Sequence, residues 1–414
     1  MIFRNRPQAR PGVLRGLQIK CSIVWMQMCY QKIVMKLAFV LRPLVCGLAH
    51  YQKLSSELYI YIAATVARKG ERPEMQDAHL CIDDMSPYLR QPVAEDIRRL
   101  SYFGVFDGHG GDRASTFVSK RLHLHVSSLF PKGGIRQIEK DIRRVLYDAY
   151  KRTDEEFLRE AAKQRPHWRD GSTAATVLLV NNTLYIANLG DSKVVLARAS
   201  VEPAANSGDI SDTSLSALCL TRDHNPVDYE ERQRIQATGA SVQNGRVNSV
   251  LEVSRSFGDY QFKKQGVICI PDVRKCQLTP NDRFILIACD GLWKSFPPNE
   301  AVALTNRLLL QELNSEQTVD PSFQIPKCNI DTHPCELSYR SVEHVCAHLV
   351  NEAVLRMSGD NVTCTLIVFP SSYKLDAQRT KGSNGKSIEP ERAGDRAQNE
   401  KCGDEPPCKI SRSG

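Results

Sequence analysis

Acidic residues are missing from the start of this chain: no Asp or Glu occurs before Glu57, although Lys and Arg recur throughout that stretch. A basic, acid-free segment with apolar patches is typical of a mitochondrial transit peptide or a membrane-surface helix. Its apolar runs are shorter than the ~20 residues that a bilayer-spanning helix needs, so we predict no transmembrane span. We interpret residues 1–58 as a leader that is either disordered or a targeting signal.

Paired cysteines are also missing. The chain has 14 cysteines, but none form a CxxC pair or a Cys/His spacing typical of zinc. Their scatter indicates reduced thiols inside a cell. The net charge of +8 is not accompanied by aromatic residues interleaved with the basic ones, so we expect no nucleic-acid partner.

The middle of the chain has the texture of one folded domain. Between residues 59 and 370, apolar strand-like runs alternate with amphipathic helical stretches. Two stretches, near residues 200–216 and 314–340, are rich in turn-forming residues and are predicted to be loop insertions. Residues 371–414 contain few apolar side chains, so we expect a disordered tail.

Hydrophobic periodicity within this domain predicts both strands and helices. The clearest strand candidates are residues 102–106, 176–180, 184–187, 194–197, 284–288 and 363–369. The clearest helix candidates are residues 113–129, 134–163, 227–238, 298–313 and 341–357. Asn181 and Asn182 between two strand candidates indicate a hairpin, hence antiparallel neighbours. The pattern alone supports a mixed α and β class.

Aspartates follow or precede the most apolar strand candidates. Asp107 and Asp290 each end an aliphatic run and are followed by glycine, and Asp360 lies just before the last predicted strand. Carboxylates delivered by strand ends are hard oxygen ligands, which suit Mg²⁺ or Mn²⁺ better than zinc. A single Asp-Gly pair is also a common turn, so each one alone indicates a turn as readily as a site.

Seven motifs, in order, resemble those of the type 2C metal-dependent protein serine/threonine phosphatases. They are RPEMQDAH (72–79), FDGHGG (106–111), DGSTA (170–174), GDS (190–192), EVSRSFGD (252–259), CDGLW (289–293) and GDNVT (359–363). The resemblance covers about three quarters of the chain. Within the family, KGER (69–72), YEER (229–232) and LTPNDR (278–283) are most similar to the integrin-linked-kinase-associated branch.

The resemblance implies an α+β fold, a four-layer αββα sandwich in which helices flank two antiparallel β-sheets. It implies hydrolysis of phosphoserine and phosphothreonine in proteins by a water that two Mg²⁺ or Mn²⁺ ions activate. Asp107 would bridge the two ions. Asp290 and Asp360 would complete one metal site, and the Gly108 carbonyl would contribute to the other.

Three further residues receive roles from the same resemblance. Arg72 is expected to bind the substrate phosphate, because a guanidinium matches two phosphate oxygens at once. Asp77 is expected to assist deprotonation of the attacking water. His109 is the candidate general acid for the departing serine or threonine alkoxide.

Two positions depart from the common family pattern. Gln76 stands where many members have a glutamate ligand to the second metal, and its neutral amide oxygen is a weaker ligand. Asp191 matches an acid linked to a third metal ion. The partner acid of that third site is replaced by Lys294, so we expect a third ion to bind poorly.

Two alternatives remain at this level. The chain could be a catalytically weak scaffold that binds phosphoproteins, which Gln76 alone favours, or a two-metal phosphodiesterase or nuclease, which would more often use histidine ligands and a basic groove. For the phosphatase, we expect phosphoprotein partners, a monomer, and location in the cytoplasm or nucleus, with mitochondrial targeting by the leader as an alternative.

Overall fold

The computed structural model describes residues 58–199, 215–315 and 337–373. The predicted tail beyond Tyr373, the predicted leader apart from Leu58 and most of the two predicted insertions lie outside these residues. The margins of both insertions differ from the prediction. Leu215 and Ser216 pair with the neighbouring strand, and the flanking helices extend to Ser315 and begin again at Tyr339. Backbone pairing and capping therefore continue past the point where the composition becomes loop-like.

The longer strands form from runs of aliphatic and aromatic residues. In chain order they are β1 (Ile62–Arg68), β2 (Ala78–Ile82), β3 (Leu100–Phe106), β4 (Gly108–His109), β5 (Gly171–Ser172), β6 (Ala174–Val180), β7 (Thr183–Leu189), β8 (Lys193–Ala199), β9 (Leu215–Cys219), β10 (Val242–Gln243), β11 (Arg246–Val247), β12 (Phe257–Gly258), β13 (Asp272–Gln277), β14 (Asp282–Ala288) and β15 (Val362–Val368).

The helices lie between these strands. They are α1 (Arg113–Leu129), α2 (Ile135–Lys163), α3 (Tyr229–Ala237), α4 (Tyr260–Lys263), α5 (Asp290–Trp293), α6 (Pro298–Ser315) and α7 (Tyr339–Leu355), with a 3₁₀ turn at Ser86–Tyr88. The Ser338 hydroxyl caps α7 by accepting a hydrogen bond from the Ser341 amide at 3.1 Å. All five predicted helices are present, with ends that differ by a few residues.

Two five-stranded sheets form the centre of the molecule. The first sheet has the order β13-β7-β6-β3-β2, and the second sheet has the order β1-β15-β14-β8-β9. Neighbouring strands in both sheets pair antiparallel. The predicted hairpin is confirmed, because β6 and β7 pair across Asn181, which has a φ of 52°.

The inner faces of the two sheets pack against each other. Phe103, Val105 and Val177 of the first sheet share a buried cluster with Ile285 and Ile287 of the second. Alternate residues of the same strands point outward and are also buried, which is why the strands read as unbroken apolar runs rather than as alternating ones.

Helices cover both outer faces. Helices α1 and α2 pack on the first sheet, and their Leu122 and Ile142 belong to the same buried cluster as Tyr102. Helices α6 and α7 pack on the second sheet, and Leu349 belongs to the same buried cluster as Leu366. The predicted four-layer αββα sandwich of the α+β class is therefore confirmed.

None of the helices within residues 58–199, 215–315 and 337–373 combines the length and apolar character needed to cross a membrane.

The strand ends determine where the predicted site residues lie. The three predicted metal ligands lie in loops next to strand ends. Strand β3 ends before Asp107, β14 ends before Asp290, and β15 begins after Asp360.

Candidate active site

Aspartates from both sheets meet in a cleft at one end of the sandwich. The cleft has a volume of ≈ 430 Å³, and all the site residues predicted from the sequence line it except Asp77. Asp107 comes from the first sheet, whereas Asp290 and Asp360 come from the second. Residues far apart in the sequence are thus brought together by the packing of two sheets.

The closest acidic group consists of Asp107, Asp191 and Asp290. Each offers a carboxylate oxygen, and these oxygens lie within 4.8 Å of one another. Burial, together with the charges of the neighbouring aspartates, raises the pKa of Asp107 well above its usual value. Burial and the charges of Asp290 and Asp223 raise the pKa of Asp191 to about 7. The carboxylates of this group therefore repel one another.

Asp77 lies behind this group, outside the cleft lining. Its carboxylate joins Asp107 and Cys289 in a second cluster with ligand atoms within 4.8 Å of one another. The Thr363 hydroxyl donates a hydrogen bond to Asp77 Oδ2 at 2.7 Å. Burial is the main cause that raises the pKa of Asp77 to about 6, and the charges of nearby aspartates add to it.

Arg72 lies at the mouth of the cleft. Its Nη2 donates to Asp360 Oδ2 at 2.9 Å, and its Nε donates to the Gly359 carbonyl at 3.1 Å. The side chain is 51% exposed. Asp360 is therefore held by this guanidinium, and its carboxylate is not one of the three in the closest acidic group.

A second cation, Lys294, also faces the acidic group. Its Nζ lies 2.5 Å from Asp290 Oδ2 and 3.6 Å from Asp360 Oδ2. Lys294 occupies the position at which the family pattern has the second acid of a third metal site, and it contacts Asp290 there. Asp191, assigned from the sequence to a third ion, has its carboxylate within 4.8 Å of that of Asp290.

Glycine at position 108 is required by close packing of the backbone. A Cβ atom there would lie 2.2 Å from the Gln76 carbonyl oxygen and 2.8 Å from Ser115 Oγ. The Ser115 hydroxyl donates to the backbone carbonyl of Gln76, and the backbone N–H of Gln76 donates to Asn361 Oδ1 at 2.7 Å. The segment with Gln76 is therefore fixed against the strand end that carries Asp107.

His109 is paired with a buried acid. Its Nε2 lies 2.7 Å from Asp259 Oδ2, and the Ser256 hydroxyl donates to the same oxygen at 2.6 Å. Burial alone disfavours the imidazolium, but the charge and hydrogen bond of Asp259 outweigh burial and raise the pKa of His109. Gly171 makes this contact possible, since a Cβ there would lie 2.1 Å from His109 Nε2.

Sequence reasoning gave no role to two residues that organise the site. Asp259 closes the EVSRSFGD motif, and its left-handed backbone, with a φ of 49°, follows Gly258 with a φ of 71°. Asn361 binds the segment before Gln76, because its amide donates to the carbonyls of Lys69 at 2.8 Å and Glu74 at 3.0 Å. Asp259 and Asn361 both lie in motifs shared with the family, which indicates a role for them, but the sequence does not show which residues they contact.

The arrangement has a definite chemical character. Apart from the Cys289 thiol, the clustered ligand atoms are carboxylate oxygens, which suit hard divalent cations. Arg72 at the rim can bind an anion, and the His109–Asp259 pair can hold and release a proton. These are the parts needed to hydrolyse an anionic ester with help from metal ions.

Comparison with known proteins agrees with this chemistry. The family model described as "Protein phosphatase 2C" matches residues 64–362. The chain is 47% identical over 319 residues to the integrin-linked kinase-associated serine/threonine phosphatase 2C of Bos taurus, covering 76% of this chain and 78% of that protein. The human protein of the same name is also 47% identical over 319 residues, covering 76% and 74%.

A solved structure supports the fold. The serine-threonine phosphatase 2C from Toxoplasma gondii superposes with a TM-score of 0.56 at 22% identity, covering 76% of this chain and 96% of that one. The two sheets with their helical layers and the match of the family model over most of the domain lead to one conclusion: the chain belongs to the protein phosphatase 2C family.

Proposed function

We propose that the chain hydrolyses phosphoserine and phosphothreonine in proteins and that two Mg²⁺ or Mn²⁺ ions are its cofactors. The observation that carries this proposal is the group of carboxylates from Asp107, Asp191 and Asp290, gathered within 4.8 Å at one cleft. Like charges held this close need positive charge nearby. The family and the similar relatives support the reaction type.

The donor set fits hard divalent ions. Asp107, Asp290 and Asp360, with the Gly108 carbonyl, would hold two ions, and the neutral Gln76 amide would be a weak ligand to the second. Bound in this way, the ions would supply water that loses a proton near neutral pH and positive charge that offsets the phosphate. Asp191 would bind a third ion poorly, because Lys294 already lies against Asp290.

The substrate phosphate is assigned to Arg72. Its guanidinium is half-exposed at the mouth of the cleft, and its planar fork matches two phosphate oxygens. Asp360 and the Gly359 carbonyl accept hydrogen bonds from it and so position it beside the acidic group. A phosphate dianion can compete for this fork and be oriented by two parallel hydrogen bonds.

Two residues move protons. Asp77, held by Thr363 beside Asp107, is assigned to accept a proton from the attacking water. His109 is assigned to donate a proton to the departing alkoxide, with Asp259 stabilising the imidazolium through Nε2. Because Asp259 engages Nε2, Nδ1 is the ring nitrogen that we assign to the leaving group.

The test is phosphate release from a phosphothreonine peptide, measured with Mn²⁺ or Mg²⁺ and again with EDTA. We expect metal-dependent turnover in the wild type and none in Asp290→Asn. Asp84→Asn, a change at an acid outside the cleft, is the control and should keep full activity. Binding of the peptide without turnover by the wild type would instead support the phosphoprotein-binding scaffold.

Location and assembly are also proposals. We propose that the enzyme acts as a monomer in the cytoplasm or nucleus, unless residues 1–58 direct it to mitochondria. Light scattering of the purified chain tests the first point. Imaging of the full chain beside a variant that lacks residues 1–58 tests the second, and a change of compartment would establish the leader as a targeting signal.

A further inference from the structure

Besides Arg72, which contacts Asp360, the acidic cleft contains a second cation of the chain, Lys294, which contacts both Asp290 and Asp360. Lys294 Nζ lies 2.5 Å from Asp290 Oδ2 and 3.6 Å from Asp360 Oδ2. Those two side chains are only 15% and 20% exposed. The ammonium is therefore shared between two carboxylates, of which Asp290 is the nearer and Asp360 also accepts a hydrogen bond from Arg72.

Local backbone structure fixes this ammonium in place. Asp290 begins the single-turn helix α5, and the Lys294 amide donates to the Asp290 carbonyl at 2.8 Å. Residues four apart on a helical turn lie on the same face, so the Lys294 side chain starts beside its partner. Forming the pair therefore needs no rearrangement of the backbone, and its entropic cost is the rotamer freedom of the Lys294 side chain.

A second lysine in the same molecule offers a matched comparison. Lys275 Nζ pairs with Glu139 Oε1 at 2.6 Å, and the side chains of Lys275 and Lys294 are both 48% exposed. Glu139 is 43% exposed and lies outside the cleft, so that pair is an ordinary surface ion pair of small energetic value. The difference between the lysines lies in what surrounds their partners.

We infer that Lys294 is a tethered cation that competes with divalent ions for the carboxylates of Asp290 and Asp360. This inference rests on the proposed function, and it makes Lys294 a positioning residue that sets how many ions bind and how tightly. In the metal-free protein, the ammonium holds the two carboxylates together. An ion bound by Asp290 would share that carboxylate with the ammonium, and the two positive charges would repel each other.

The competition predicts two effects of opposite sign. Without Lys294, the metal-free protein should be less stable, because Asp290 loses its neighbouring positive charge and Asp360 keeps only that of Arg72. Metal binding should at the same time become tighter, because the incoming ion no longer meets the ammonium as a competitor for Asp290 or as a repelling charge. A lysine that only supports the fold would produce the first effect without the second.

The experiment compares Lys294→Met, Lys294→Arg and Lys275→Met with the wild-type full chain. Calorimetric titration with Mn²⁺ gives affinity and stoichiometry, and thermal unfolding in EDTA gives the stability of the metal-free form. For K294M we expect about tenfold tighter Mn²⁺ binding and a melting temperature in EDTA lower by about 3–5 °C. K294R and K275M should both keep the wild-type Mn²⁺ affinity.

A further variant, Lys294→Asp, extends the test to stoichiometry. It places a carboxylate beside Asp290 and Asp191, and we expect an additional Mn²⁺ to bind. Mn²⁺ affinity unchanged or weaker in K294M would overturn the inference while leaving the proposed function intact, provided the wild type binds Mn²⁺ and hydrolyses the peptide. A wild type that binds no Mn²⁺ would overturn both.

Discussion

Two buried acidic regions of this molecule are built on opposite principles. In the catalytic cleft, Asp107, Asp191 and Asp290 lie close together with one lysine as their neighbouring cation. Around Glu231, the chain supplies a full set of partners. Arg234 Nη2 lies 2.7 Å from Glu231 Oε2, Arg255 Nη2 lies 2.6 Å from Oε1, and the Ser254 hydroxyl donates to Oε2.

The pKa shifts follow this difference in partners. Burial raises the pKa of Glu231, but hydrogen bonds from Arg234, Arg255 and Ser254 outweigh burial and hold that pKa well below its usual value. In the cleft, burial and like charges act in the same direction and raise the pKa of Asp107. A buried acid that the chain neutralises supports the fold, whereas acids left under-neutralised are available for a cation from solution.

The largest effect should come from removing one acid of the cleft. We expect Asp107→Asn to lower kcat/KM for a phosphothreonine peptide by about 10⁴-fold, because the metal ions lose their shared ligand. In EDTA the same variant should melt at a higher temperature than the wild type, since one repelling charge is gone. Peptide kinetics and thermal unfolding check the two parts, and a lower melting temperature in EDTA would contradict the view of a self-repelling cluster.

His109 tests a case between the two regions, because its acid partner Asp259 is already paired with it. We expect His109→Ala to slow hydrolysis of alkyl phosphate esters by about 10³-fold, and that of esters with good leaving groups far less. Rates on a phosphothreonine peptide and on an aryl phosphate give the comparison. Equal losses on both esters would rule out proton donation by His109.

Breaking the neutralised region should have the reverse outcome. Glu231→Gln leaves Arg234 and Arg255 without their common carboxylate, and we expect a loss of about 3 kcal/mol in the free energy of unfolding. The specific activity of the folded fraction should remain near that of the wild type. Urea unfolding monitored by circular dichroism measures the loss, and an activity decrease without destabilisation would place Glu231 in the catalytic machinery instead.

The pH dependence of that loss has a definite sign. Because the folded-state pKa of Glu231 is lowered, its stabilisation is present above the unfolded-state value of about 4.3. It disappears as the pH falls from there through the folded-state pKa. The stability difference between wild type and Glu231→Gln should therefore be constant near neutral pH and shrink below about pH 4.

The smallest expected effect adds an acid to the cleft. Gln76→Glu should tighten Mn²⁺ binding at the weaker site by about tenfold, because a charged oxygen replaces an amide oxygen. It should also lower the melting temperature in EDTA slightly, since another negative charge joins the cluster. Calorimetry measures the Mn²⁺ affinity, and thermal unfolding measures the melting temperature. Gln261→Glu, at another glutamine of the cleft lining, is the control and should keep the wild-type affinity.

The sequence predicted the interior of the sandwich better than its borders. The strands named from the sequence were β3, β6, β7, β8, β14 and β15, which are the inner strands of the two sheets. Within these two sheets, the strands that were not named are β1, β2, β9 and β13, and they lie at the four edges. Inner strands are apolar on both faces. An edge strand such as β13 has mostly exposed polar residues and two partly buried ones, without regular alternation, and its pairing with β7 comes from tertiary structure.

The cleft shows the same division between local and distant information. Asp107 and Asp290 were recognisable because each ends a hydrophobic run beside glycine, a local signal. The contact between His109 and Asp259 joins residues 150 apart in the sequence and depends on a left-handed backbone at Asp259. No periodicity encodes such a contact. The pairing of Arg72 with Asp360 is equally distant and was also not predicted.

The origin of the acids in two different sheets has a mechanical consequence. Asp107 extends from one sheet and Asp290 from the other, and the apolar layer of Phe103, Val105, Ile285 and Ile287 sets the spacing between those sheets. A cation bound by both acids would cross-link the two sheets, so its affinity would depend on how the sheets are aligned. Core substitutions far from the cleft would then alter ion binding as well as overall stability.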